Sequence, residues 1–113
     1  MIINLGWKNL QKKYINDRAV NKAFKNKVQR FMTKATLETV TDLNNGKIQF
    51  NFLFNDKRYV VELIKNHMYE DRGYICGIKR STYNEFGSSF QPEILPYLKE
   101  YKQRYMTPAY MLG

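Results

Sequence analysis

Residues 47–54, KIQFNFLF, alternate without a break. Ile48, Phe50, Phe52 and Phe54 fall on one side, and Lys47, Gln49 and Asn51 on the other. That is the period-two pattern of a half-buried strand. Asn45-Gly46 directly before it is a strong hairpin signal, because a type I′ turn needs positive φ at both central residues. It implies an earlier strand at 35–43, ATLETVTDL. NDKR reads as a second turn and YVVELIK, 59–65, as the next strand. With Asp56-Lys57 at the turn centre, Phe54 faces Tyr59, Phe52 faces Val61 and Phe50 faces Leu63, which keeps apolar side chains on one face. YEDRG makes a third turn, and YICGIKR, 74–80, a fourth strand. The middle of the chain, about 35–81, is therefore predicted to be a four-stranded antiparallel meander. Val40, Leu53, Val60 and Ile64 are placed on its second face. A sheet apolar on both sides must be covered on both sides, so the N-terminal helices are expected on one face and the C-terminal helix or tail on the other.

Before the sheet the period changes to 3.6. Trp7, Leu10 and Tyr14 form one apolar stripe, and Val20, Phe24, Val28 and Phe31 a second. At about 100° per residue the stripe centres differ by roughly 80°, so residues 1–34 should form two helices or one bent helix. Asp17 is placed as N-cap of a second helix beginning at Arg18. After the sheet, NEFGSSFQP (84–92) reads as a loop. The segment 92–106 reads as a last helix with Ile94, Leu98, Tyr101 and Tyr105 as its stripe. Pro96 fits only a first turn, so regular helix is expected to begin near it. The tail TPAYMLG is apolar enough to dock. The fold class is α+β, a single domain across 113 residues in the order α-β-β-β-β-α.

The charge is unevenly placed. Of a formal net charge of +9, residues 1–34 contribute nine Lys and Arg against Asp17 alone, leaving ten against nine for the remainder. Such asymmetry points to a polyanionic partner or an acidic protein surface. On a helix from Arg18, the residues Arg18, Lys22, Lys25 and Gln29 share the face away from Val20, Phe24 and Phe31. Lys8 and Lys12 pair similarly on the first helix.

The residues of catalysis are sparse. His67 is the lone histidine and has no Ser or Cys partner at a recognisable spacing. Cys76, beside Gly77, reads as a small buried thiol, and a lone thiol argues for a reducing compartment. Glu70 and Asp71 adjoin in a turn and do not converge on one ion. Asp56 and Glu62 are too far apart for a metal-dependent nuclease. No Gly-rich phosphate loop is present. RGYICGIKR begins like an RRM strand and then departs from it at Cys76 and Lys79. No cofactor or metal is expected.

The expectation is a non-enzymatic basic binding protein. Its N-terminal helices would engage DNA, RNA or a host nucleoprotein complex through phosphates. Lys79, Arg80 and Tyr83 are candidate additions, with Tyr83 available for stacking. Tyr97, Tyr101 and Tyr105 interleave with Lys99, Lys102 and Arg104; core packing is favoured for Tyr101 and Tyr105, less so for Tyr97. Abundant Lys, Asn and Tyr with little Ala fits AT-rich coding. In general character the chain resembles phage and mobile-element accessory proteins, some of which inhibit host enzymes or defence nucleases, CRISPR effectors included. No motif identifies such a family. Docking on an acidic host protein is the alternative, and a metal-dependent nuclease the least favoured. Neither a signal segment nor a membrane span is read, so a bacterial cytoplasm is the expected location. Oligomeric state is not legible.

Overall fold

In the computed structural model, residues 2–18, 26–66 and 73–106 are described, without the side chains of residues 2–5, Arg18 and Asn66. The order is α1 (Ile2–Arg18), α2 (Lys27–Lys34), β1 (Thr36–Asp42), β2 (Lys47–Phe54), β3 (Lys57–Asn66), β4 (Gly73–Ile78), α3 (Arg80–Phe86) and α4 (Phe90–Tyr105). The strands form one antiparallel sheet in the order β1-β2-β3-β4. This is the α+β meander the alternation implies.

The register differs from the expected one. Phe54 pairs with Lys57, Phe52 with Tyr59, Phe50 with Val61 and Ile48 with Leu63. Asn55 and Asp56 hold φ of 52° and 63°, so the connection is a two-residue turn with both centres left-handed. Moving the partner by two residues leaves every side chain on its face, so the Phe face survives the error. The first hairpin also departs from a simple Asn45-Gly46 turn. Positive φ falls on Asn44 (61°) and Gly46 (84°), and the Asn44 N–H donates to Asp42 Oδ1 at 2.8 Å. In β1 the register slips between Leu37 and Thr39, after which Val40 pairs with Phe50. Val40 therefore lies on the Phe face, packed against the core, and not on the second face.

The core lies on that one side. Phe31 of α2 meets Phe52, Phe54, Tyr59, Phe86 and Phe90 edge-on, with centroids 5.1–5.6 Å apart. Trp7 of α1 packs edge-on against Phe52, and Tyr101 of α4 against Phe50. All four helices thus contribute rings to the Phe face. The expected division of helices between two faces is not what forms, because one aromatic cluster draws them together. The other face carries Leu53, Val60 and Ile64, half-buried, and Ile75, 47% exposed.

Three helix boundaries also depart from expectation. α1 runs through Asn16 and Asp17 to Arg18, so Asp17 is not an N-cap. The cap belongs to Asn26, whose side chain accepts from Gln29 N–H at 2.9 Å. The fourth strand stops at Ile78 rather than Arg80, and residues 80–86 form α3 across its expected end and the first part of the expected 84–92 loop. It closes at Gly87 with φ 83°, a left-handed C-terminus that glycine accepts without strain. α4 starts at Phe90, which is fully buried and stacks on Phe86 at 4.9 Å. Pro96 thus sits inside the helix. It is exposed, so the Pro92 carbonyl it leaves without an N–H donor is on the solvent side. Val20, Phe24, His67, Glu70, Asp71 and the tail lie outside the described residues.

Phe31 is the ring most of the core shares. Phe31→Ala is expected to lower unfolding free energy by about 3–5 kcal/mol, a large fraction of the stability of a typical small domain. Urea unfolding measures it, and a loss below about 1 kcal/mol would contradict the hub role.

Candidate nucleic-acid interface

Lys8 and Lys12 lie one helical turn apart on α1, exposed, with Trp7, Leu10 and Tyr14 buried on the inner side. On α2 the buried residues are Val28, Phe31 and Met32. Lys27, Arg30 and Lys34, spaced by three and four, stay within about 60° of one another along one flank, and all three are exposed. Gln29 projects from the opposite flank of α2 and is half-buried. It therefore does not belong to the cationic row in which it was expected. Arg18 ends α1, while its side chain, Lys22 and Lys25 lie outside the described residues. The row Lys27-Arg30-Lys34 was missed because the sequence stripe was phased on one helix from Arg18 through Phe31, whereas α2 begins at Lys27 after an extended Asn26.

Arg30 and Lys34 also line a shallow cleft of about 320 Å³ with Phe54 and Asn55, at the β2–β3 turn. Lys79 and Arg80 are exposed at the start of α3, and Tyr83 is 47% exposed one turn on. Phe86 at the end of this helix reaches Phe31. α3 and α2 are therefore neighbours around the Phe54 end of the sheet. Tyr97 and Tyr101 are buried and Tyr105 is half-buried, so Tyr97 joins the core rather than a stacking surface.

The carboxylates explain why the cations remain unpaired. Asp17 accepts from the Tyr97 hydroxyl at 2.9 Å, Glu93 from Tyr14 at 2.7 Å, and both Glu85 oxygens from Tyr59 at 3.0 Å. Three acids are thereby held by neutral phenols. The Tyr14–Glu93 and Tyr97–Asp17 bonds cross reciprocally between α1 and α4. Glu100 takes Lys13 and Arg104, and Glu38 takes Arg58. Lys13 is thus withdrawn from the cationic surplus. Among the described residues, Lys8, Lys12, Lys27 and Arg30 have no ion-pair partner. Neither α2 nor α3 has an acid in its first turn, so Lys27, Arg30 and Arg80 stand at the positive ends of their helices, against the dipole.

Among the described residues no three His, Cys, Asp or Glu side chains come together as a metal site, and no helix is long and apolar enough to cross a membrane. Cys76 is buried, and burial pushes its thiol up to about 12. No family model matches the chain, and no curated protein or solved structure is significantly similar to it.

Burial, then the hydrogen bond to Glu85 and that carboxylate's charge, push the Tyr59 phenol up to about 12. Both Tyr59 and Cys76 hold their protons more tightly in the folded chain. Their contribution is complete below the unfolded values, roughly 8.5 for the thiol and 10 for the phenol, and is lost as pH rises toward 12. The melting midpoint is expected to fall over that alkaline range, and to fall less above about pH 10 in Tyr59→Phe. A midpoint that stays level would contradict the assignment.

Proposed function

We propose that this protein is a non-enzymatic binding protein whose helical layer engages nucleic acid through the phosphate backbone. The observation that carries the reading is the α2 row, Lys27, Arg30 and Lys34, with Lys8 and Lys12 on α1: a cationic surface facing solvent while the nearby carboxylates are held by tyrosines. Cations at the positive end of a helix cost stability, and a phosphate strand would offset that cost. Phosphate contacts position a strand without reading its bases, so binding through them carries weak sequence preference. The buried, protonated Cys76 fits a structural role better than a nucleophilic one.

A second reading has its own observation. The sheet face away from the helices carries Leu53, Val60, Ile64 and an exposed Ile75. That surface suits an inhibitor or adaptor that docks on a host protein, a defence nuclease among the candidates.

Fluorescence anisotropy with a labelled duplex tests the first reading. With four to five phosphates neutralised, log K should fall with log salt at a slope of roughly −3.5 to −4.5. Lys27→Glu/Arg30→Glu/Lys34→Glu should weaken binding severely and flatten the slope by about three, with unfolding curves near wild type. Undiminished binding by a folded triple variant would remove the proposal.

A further inference from the structure

A second cleft, of about 270 Å³, opens at the other end of the sheet, where Asp42, Asn44, Gly46, Lys65, Tyr74 and Lys102 come together. It is assembled from β1, the β1–β2 turn, β3, β4 and α4. Lys65 pairs with Tyr74 across β3 and β4. Lys102 reaches in from α4, its Nζ 5.8 Å from the centre of the Tyr74 ring. The Lys65 backbone N–H donates to Gly46 O at 2.8 Å, tying the turn to β3 and fixing the rim. Ile48 lines this cleft and Phe54 the one beside α2. Six residues of extended strand put the two about 20 Å apart, so one is not an extension of the other.

The charge state of the cleft is unbalanced. Lys65 and Lys102 are each half-buried, so part of each side chain is held at the cleft while its ammonium can reach the opening. Neither has an ion-pair partner among the described residues. Asp42 shares the rim, but its Oδ1 accepts from the Asn44 N–H, and it makes no ion pair with either lysine. Two cations without ion-pair partners in one cleft, Lys102 beside the Tyr74 ring and the Asn44 carboxamide on the rim, suit a tetrahedral oxyanion.

We infer that this cleft binds a phosphate group, with Lys65 and Lys102 as its cationic walls and Asn44 as a neutral donor. The source is a phosphodiester of a bound strand or the phosphate of a small phosphorylated molecule. The strand source rests on the nucleic-acid reading; the anion chemistry does not.

Amide-detected NMR on the full chain decides it. Inorganic phosphate, titrated to millimolar concentration against chloride of equal ionic strength, is expected to move Asn44, Gly46, Lys65 and Tyr74 and leave Lys27 and Arg30 in place. Lys65→Gln/Lys102→Gln, or Lys102→Gln alone should the pair unfold, is expected to abolish those shifts. Equal movement with chloride, or movement that survives the substitutions, overturns the inference. Anisotropy separates the sources. Loss of about two from the salt slope in Lys65→Gln/Lys102→Gln assigns the phosphate to a strand. An unchanged slope with surviving phosphate shifts in wild type assigns it to a small phosphorylated ligand, for which adenosine monophosphate is the probe. Should no oligonucleotide bind at all, the phosphate titration still decides the cleft.

Discussion

The rings around Phe31 bind the whole helical layer to one face of the sheet. Phe31 stands between two strands and two helices, touching Phe52 and Phe54 of β2, Tyr59 of β3, Phe86 of α3 and Phe90 of α4. Edge-to-face pairs of this kind contribute about 0.5–1.5 kcal/mol each beyond the area they bury. Their geometric effect matters as much. Because α1 inserts Trp7, Leu10 and Tyr14, Lys8 and Lys12 face outward. α2 inserts Val28, Phe31 and Met32, and Lys27, Arg30 and Lys34 run along one exposed flank beside them. The positive surface thus borders the aromatic core on α2 and backs it on α1.

Tyrosine completes the electrostatic arrangement. A Tyr hydroxyl satisfies a carboxylate without introducing a cation, so Asp17, Glu85 and Glu93 are accommodated at the helix seams by phenols rather than by Lys8, Lys12 or Lys27. Had those seams used Lys or Arg donors, the same sequence charge would have been largely internal. Lys13 and Arg104 on Glu100 show what that alternative looks like.

Period and parity were readable in the sequence, and partners were not. The alternation of Ile48, Phe50, Phe52 and Phe54 marked β2 and its inner face without ambiguity. The β2–β3 register was open by two residues because either turn centre preserves that face. Only the left-handed backbone at Asn55 and Asp56 decides between them. Asp17 and Asn26 are both good caps locally; Asp17 is drawn away by Tyr97, eighty positions along the chain. α3 has seven residues, too few for a periodic signal, although Thr82 and Phe86 one turn apart before Gly87 do mark its inner side and its stop. Lys8 and Lys12 could be placed from the α1 stripe, whereas the α2 row depended on where that helix begins. The cleft of Lys65, Tyr74 and Lys102 draws these three residues from β3, β4 and α4 and becomes visible only with the topology.

The molecule has two dissimilar faces, one cationic and helical, the other a mixed sheet surface with Ile64 and Ile75. Which of them meets a partner is the central question. Lysine acetylation with and without a bound duplex, read by mass spectrometry, answers it most directly. Protection of Lys8, Lys12, Lys27 and Lys34 is expected, with Lys47 on the sheet face as reactive as before. Protection confined to Lys47, or none anywhere, would contradict it.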